Sequence, residues 1–478
     1  MTRITPFLLA SRLYPLCLLC LLFTRGALAQ FEARGQPLVE SSPWWVSVAD
    51  FNNDGRADLA VAGTCCPWGA VSILLGNGDG TFGQEVNYIA GEAPLSIAVA
   101  DFNLDGNLDL AVASYSEYIA ILLGNGDGTF QPEAQTAPVP GIETFIGVAD
   151  FNNDRKLDLV ALGPNSTISV LLGNGDGTFQ NAITTQPSFA VQALGIGDFN
   201  GDGKLDLVTA GQFGASSYVY ILLGNGDGTF HVGESYMAEN SPSSITVADF
   251  NGDHKLDFAV ANFEGVGTGN VGVWIANGDG TFQQGVNYPT EFPQSVTSAR
   301  LSGNGNLDLI VANYGTPGAG ASVLTGNGDG TFQPAVFYPA GFESRHAAVG
   351  DFNGDKKPDI VVADTRTDYA IVLLNTGVVS FAPTTALNFK SQAVGTTSPP
   401  QTVTLTNNGT SELKIASIKP SAGFSVTSTC GKTVTAGADC TITATFSPSR
   451  KGAIQGTITI VDSASTKPQA IELLGTGT

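Results

Sequence analysis

The sequence predicts an all-β protein: a seven-bladed β-propeller followed by an immunoglobulin-like β-sandwich. Three observations carry this. An Asp- and Asn-rich nonapeptide recurs with successive starts 48 to 51 residues apart. A Gly-rich motif recurs in step with it, and the period stops near Pro383, where short alternating strands take over. A fixed period of that size, carrying short strands and turn signals, marks a propeller or a solenoid.

The nonapeptide is Asp50-Phe51-Asn52-Asn53-Asp54-Gly55-Arg56-Ala57-Asp58 in its first copy. Oxygen side chains at positions 1, 3, 5 and 9, with Gly often at position 6, suit a hard cation of calcium size. A backbone carbonyl at position 7 adds a further donor, and the ninth-position Asp is expected to close the shell. Asp and Asn also form tight turns unaided. Six copies nevertheless keep Asp at 1, 5 and 9 and Asn at 3 while the other positions vary, which a turn alone does not require. The expected ligands are Asp50, Asn52, Asp54 and Asp58 with the carbonyl of Arg56, then Asp101, Asn103, Asp105 and Asp109 with Asn107. Asp150, Asn152, Asp154 and Asp158 with Lys156, and Asp198, Asn200, Asp202 and Asp206 with Lys204, form the next two sets. Asp249, Asn251, Asp253 and Asp257 with Lys255, and Asp351, Asn353, Asp355 and Asp359 with Lys357, complete an expected complement of up to six structural calcium ions. An EF-hand would close on a Glu at position 12 between helices. Here the apolar run Leu59-Ala60-Val61-Ala62 follows, so the loop joins strands.

The second motif, Leu74-Leu75-Gly76-Asn77-Gly78-Asp79-Gly80-Thr81-Phe82, returns with Phe130, Phe179, Phe230, Phe282 and Phe332 in last place. Asn-Gly-Asp-Gly between apolar runs predicts a hairpin, because Gly and Asn accept positive φ. Asp79 and its equivalents read as turn residues before metal ligands. Four strands per unit follow; in the first they are Val46 to Ala49, Leu59 to Ala62, Ala70 to Leu75 and Phe82 to Tyr88. The segment from Gln30 to Val39 reads as a lone fourth strand that pairs with the seventh unit and closes the ring. A rival fourth strand for that unit lies near Phe381.

The paired motifs resemble FG-GAP/VCBS repeats, the type found in integrin α-subunit propellers and in many secreted bacterial proteins, over about residues 31 to 382. The resemblance implies calcium in the loops. Fungal lectins with similar repeats bind sugars between blades, which extends the expectation to carbohydrate. Beyond Pro383, Leu387-Asn388-Phe389 and Gln401-Thr402-Val403-Thr404-Leu405-Thr406-Asn407 begin a strand pattern of immunoglobulin type. That region is similar to the abnormal-spindle-like domains, which implies a spacer or a unit docking to a surface.

The domains are therefore expected at 1–29, 30–382 and 383–478. The first reads as a secretory signal: Arg3 and Arg12 precede an apolar run from Leu13 to Phe23, and Ala27-Leu28-Ala29 fits a cleavage site. No further run predicts a membrane span. A secreted, extracellular or cell-surface protein is expected, with the periplasm as an alternative. The formal net charge is −22, and much of the acid lies in the nonapeptides, so nucleic acid is excluded as a partner. Cys430 and Cys440 are expected to form a disulfide in an oxidising compartment. A bond between the adjacent Cys65 and Cys66 would be strained, and no further Cys or His at metal-ligand spacing supports a metal-thiolate pair there.

Position 6 is Arg155, His254 and Lys356 in three loops, where a positive φ costs a side chain about 1 kcal/mol. The sixth copy has Arg300, Ser302, Asn304 and Asp308 at the ligand positions. Its guanidinium is expected to sit where a cation would and to pair with Asp308. The calcium loops and hairpins share one face, and the opposite face carries loops of varied length. Trp45, Trp68, Tyr115, Tyr118, Phe213 and Tyr218 are its candidate ligand contacts, since aromatic rings stack on sugars or anchor protein interfaces. The predicted function is an exported calcium-binding recognition or adhesion module for an extracellular glycan or protein. A carbohydrate-active lyase or glycosidase and a purely structural surface protein are the alternatives. No catalytic residues are predicted: only three histidines occur, and most propeller acids belong to loops or turns.

Overall fold

The computed structural model describes residues 31–478 apart from 35–36, 38, 40–41, 65–68, 137, 140–144, 214–215, 240, 264–268, 303–304, 316–318, 376–378, 383–385, 408–411, 436 and 464–467. Among the described residues the periodic region forms seven four-stranded antiparallel sheets. The first contains Pro43–Ala49, Asp58–Gly63, Ala70–Leu74 and Val86–Ile89, hydrogen-bonded in chain order. The first strand of each sheet packs beside that of the next, and Ser344–Gly350 of the seventh packs beside Pro43–Ala49 of the first, closing a ring.

Burial explains why the middle strands read as unbroken apolar runs. Asp58–Gly63 and Ala70–Leu74 are buried at every position because both faces of a sheet pack against its neighbours in the ring. The outer strand Val86–Ile89 is largely exposed. A single 3-10 turn at Pro164–Ser166 is the one helical element among the described residues. No helix there is long and apolar enough to cross a membrane.

The seventh sheet is completed by the start of the described chain. Phe31–Arg34 pairs antiparallel with Tyr369–Asn375, Phe31 opposite Asn375 and Arg34 opposite Val372. Phe31 is buried and meets the Tyr338 ring edge-on at 5.0 Å. The rival strand near Phe381 goes elsewhere: Val379–Ala382 pairs with Gln401–Asn407 in the C-terminal unit. That unit has two sheets. One runs Val379–Ala382, Gln401–Asn407, Asp439–Phe446, Phe424–Ser428; the other runs Leu387–Gln392, Gln469–Gly477, Gly452–Asp462, Leu413–Pro420, Thr433–Val434. Between them lie Val403, Leu405, Ile442, Phe446, Ile458, Ile460 and Leu473. Cys430 and Cys440 are bonded, as their spacing predicted.

Candidate metal loops and the opposite face

Each nonapeptide folds by turning its side-chain oxygens onto its own backbone. In the first, Asp50 Oδ2 accepts from Gly55 N at 2.7 Å, while Asp50 Oδ1 and Asn52 Oδ1 both accept from Asp54 N at 3.1 Å. Asp54 Oδ1 accepts from Arg56 N at 2.9 Å. Asp58 is fully buried and spans two motifs, its Oδ2 accepting from Phe51 N at 2.9 Å and its Oδ1 from Gly76 N at 2.7 Å. The ninth Asp thus ties the loop to the Gly-rich hairpin of its own sheet. Arg155, His254 and Lys356 hold φ of 68°, 66° and 65°, the left-handed conformation expected where Gly is missing at position 6. The His254 side chain is 97% exposed, in keeping with a backbone role.

Burial raises the carboxyl pKa of Asp58, and the Asp54 and Asp50 charges raise it further, against hydrogen bonds that lower it. The same causes push Asp158, Asp257 and Asp359 up to about 6. Cationic side chains at position 7 lean on the position-5 carboxylate: Arg56 on Asp54 at 3.7 Å, Lys255 on Asp253 at 3.8 Å, Lys357 on Asp355 at 3.4 Å. These pairs are solvent-exposed and add little stability. Among the described residues, no group of three or more His, Cys, Asp or Glu side chains gathers as a metal cluster. The loop oxygens face the loop's own N–H groups; in the first loop each keeps a second lone pair, whereas Oδ1 of Asp198, Asp249 and Asp351 each accepts two N–H groups. As a donor set, three carboxylates, an amide oxygen and a carbonyl suit calcium.

The hairpin aspartates are turn residues. Asp79 Oδ1 accepts from both Thr81 N, at 3.0 Å, and Thr81 Oγ1, at 2.6 Å, and the Thr81 hydroxyl chiefly lowers its pKa. Each hairpin also docks on the loop of the preceding sheet. Gly128 N donates to Phe51 O, Gly177 N to Phe102 O, Gly280 N to Phe199 O and Gly80 N to Phe352 O, at 2.8–3.1 Å. The hairpin phenylalanine meets the loop phenylalanine edge-on across the same junction, as in Phe51–Phe130 and Phe82–Phe352.

The sixth loop departs from the expected pairing. Arg300 Nε donates to the Gly305 carbonyl at 2.9 Å, and Asp308 accepts from Leu301 N, Ser302 N, Ser302 Oγ and Gly326 N. The described partners of Asp308 are therefore neutral groups, and Arg300 bridges the loop through a carbonyl. Asn304 lies outside the described residues.

On the opposite face the predicted aromatics do not converge. Trp68 lies outside the described residues, as does the Phe213 side chain. Tyr115 is 62% exposed, Tyr118 packs against the core between the first two sheets, and Tyr218 lies 5.9 Å from the Tyr220 ring. Trp45 is placed differently, on the wall of the central channel. The His346 ring stacks on it at 3.6 Å and 19°, with His346 Nδ1–H donating to Val46 O at 3.1 Å. Burial pushes the His346 pKa down to about 3, so the ring is neutral near pH 7.

Two cavities open on or towards this face. The channel holds about 620 Å³ and is lined by the starts of the inner strands, including Trp44, Trp45, Phe145, Gln294, Arg345 and His346. A groove of about 730 Å³ between the fifth and sixth sheets is lined by Glu239, Asn270, Asn287, Thr290, Asn313 and Phe337 among others. Two buried acceptors there, Asn313 Oδ1 and Thr290 Oγ1, have no hydrogen-bond partner among the described residues. Phe337 is 39% exposed. Single-residue inspection misses both places. Aligning the repeats marks the fifth and sixth units as different without showing a cavity: five residues after the ninth-position Asp stand Gly63, Ser114, Gly163 and Gly211 in four units but Asn262 and Asn313 in the fifth and sixth.

A family model described as FG-GAP-like repeat matches residues 50–112, 101–161, 150–209, 198–260, 249–311 and 300–362. A second, described as Abnormal spindle-like microcephaly-assoc'd, ASPM-SPD-2-Hydin, matches residues 376–470. No curated protein matches the chain. Among solved structures, BBS1N in complex with ARL6DN (soaked with mercury) matches at TM-score 0.52 and 16% identity, covering 72% of this chain and 97% of that one. The lead-soaked form gives 0.50 and 15%, with the same coverage. The V. cholerae biofilm matrix protein Bap1 matches at 0.39 and 12%, covering 72% and 90%. At these identities the likeness to the BBS1N structures is one of fold, and the Bap1 score carries no argument.

Proposed function

Because the chain belongs to the FG-GAP-like repeat family, we propose that it is an exported recognition or adhesion module that binds an extracellular glycan through the face opposite its metal loops. The observation that carries this is the groove between the fifth and sixth sheets. Buried acceptors without partners cost about 1–3 kcal/mol each, and Asn313 Oδ1 and Thr290 Oγ1 both lie in the wall of one cavity. Both atoms have almost no exposed surface, so sugar hydroxyls would satisfy them on a rotation of the side chains towards the cavity. Phe337 offers an apolar face for the ring, and the size is that of an ordinary small-ligand pocket. A protein partner is the second occupant of the same face.

Calcium belongs to the scaffold in this reading. Six loops would hold it through Asp at positions 1, 5 and 9, Asn at 3 and the carbonyl at 7, supplying positive charge where three carboxylates crowd. Because each loop also receives the hairpin of the next sheet, ions there would stiffen the junctions of the ring. The apolar segment near the start of the chain supports export, and the C-terminal unit would act as a spacer or docking unit. No catalytic step is proposed.

The test is binding of residues 30–478 to a broad array of neutral and acidic glycans, in calcium and after chelation. Specific binding lost in Asn313→Ala and Phe337→Ala supports the groove. A blank array from protein shown folded in calcium would reject the glycan and leave the protein partner.

A further inference from the structure

Among the described residues, the mouth of the central channel carries one cation, held as though for an anion. Arg345 is the second residue of Ser344–Gly350, the inner strand of the seventh sheet. Its guanidinium lies between two rings, 4.2 Å from the Trp44 centroid and 4.1 Å from that of Tyr314. One end of the fork donates through Nη1 to Gln294 Oε1 at 3.3 Å, and Nε is buried without a partner among the described residues. No described ion pair involves Arg345. Glu343 acts on it at a distance, but its carboxylate accepts from Thr365 Oγ1 at 3.3 Å. Among the described residues that line the channel, Arg345 alone carries a formal charge near neutral pH, because His346 is neutral there.

Such a guanidinium is desolvated and pre-oriented. Rings on both faces and the buried Nε leave the Nη end as the direction from which a carboxylate is received. The rest of the wall fits a polar body with an apolar side: Trp45 and Phe145 present rings, while Gln192, Ser243 and Thr297 present amide and hydroxyl groups. The volume suits a small ligand. The chain's net charge of −22 disfavours a polyanion more strongly than a ligand with a single carboxylate.

We propose that the channel mouth is a second binding site, distinct from the groove between the fifth and sixth sheets, that takes the carboxylate of a sugar acid against Arg345 with the sugar ring beside Trp45 and Phe145. Gln294 positions the fork. Trp44 and Tyr314 keep water off its faces, and the stacked Trp45–His346 pair sets the floor where the ring of sheets closes.

The test uses the calcium-loaded chain, residues 30–478, titrated by calorimetry with glucuronate and galacturonate and with glucose and galactose as neutral counterparts. A uronate is expected to bind at least tenfold more tightly than its neutral sugar, with affinity falling as salt rises. Arg345→Gln should abolish the preference. Because removing Arg345 could loosen the ring, Gln294→Glu is the second variant. It keeps the hydrogen bond, supplies an internal carboxylate to the guanidinium, and should abolish uronate binding while leaving the melting temperature unchanged or higher. Phe337→Ala, in the groove, should leave uronate binding intact and so separates this site from the one above. Equal binding of acid and neutral sugars, undiminished binding in Gln294→Glu, or no uronate binding by folded protein would overturn the proposal. An acidic peptide that binds where uronates do not would overturn it too, and assign the mouth to a protein partner.

Discussion

Asn375 Nδ2 donates to the carbonyl of Leu301 at 2.9 Å, across the junction between the sixth and seventh sheets. At four other junctions a hairpin glycine N–H donates to the carbonyl of a loop phenylalanine. Here the phenylalanine is Leu301 and the hairpin motif has decayed to Leu373-Leu374-Asn375-Thr376-Gly377. The degraded loop and the degraded hairpin are therefore the two halves of one contact. A side-chain amide replaces the backbone bond, and Asn375 also donates to the Pro358 carbonyl at 3.0 Å.

Asn375→Ala would leave both carbonyls without that donor in a residue now only 1% exposed. A loss of about 1–3 kcal/mol is expected, read as a lower denaturant midpoint for the propeller with an unchanged slope. A change within 0.3 kcal/mol would show that the junction does not depend on this residue.

Arg300 tests the metal assignment of the loops. Restoring the ligand pattern with Arg300→Asp, Ser302→Asn and Asn304→Asp removes the Nε bond to Gly305 and returns carboxylates to positions 1 and 5. Calcium stoichiometry by calorimetry should rise by one ion per chain. An unchanged stoichiometry, with wild-type protein binding calcium, would mean that the hairpin junction and not the donor set decides which loops bind.

The repeats made most of this legible in advance. Period, hairpins and loops are each set by residues close in sequence, and six copies average out chance. Ring closure by Phe31–Arg34 was readable because the strand lacked its own partners. The double duty of Asp58 was less so, since its bond to Gly76 spans 18 residues and depends on strand register. The channel and the groove were not legible. Trp44 and Arg345 are 301 positions apart and meet only when the ring closes. Asn313 and Thr290 look ordinary until neighbouring sheets bury them in one wall.

The ninth-position aspartates set a pH dependence of unusual sign. In Asp158, Asp257 and Asp359 the folded pKa is about 6, above the ordinary 3.8, chiefly through burial. The folded state holds those protons more tightly, so their contribution is full below about pH 4 and lost as pH rises through about 6. Protein stripped of metal and dialysed should melt at a lower temperature at pH 7 than at pH 5. The hairpin aspartates, with lowered pKa, lose their contribution only as pH falls below 3.8 and do not enter this window. Calcium favours the ionised form, so saturating calcium should abolish the fall, and calcium affinity should weaken below about pH 6. A metal-free melting temperature flat from pH 5 to 7 would remove the ninth Asp as the titrating group.

The disulfide should matter to the C-terminal unit alone. Cys430 and Cys440 are ten residues apart and both buried in that unit's core, where Thr429 and Thr441 also bond beside the crosslink. Closing a loop of that length restricts the unfolded chain by about 2.7 kcal/mol in the chain-entropy account. Reduction leaves the sulfur atoms in place and removes only the crosslink, whereas Cys430→Ala and Cys440→Ala also remove packing. In a Cys65→Ser, Cys66→Ser background, a reductant should therefore lower the melting transition of the sandwich by several degrees and leave the calcium-loaded propeller transition where it was. The Ala variants should lower it further. If reduction shifted both transitions equally, the two units would unfold as one, and the crosslink would be stabilising the propeller through the sandwich.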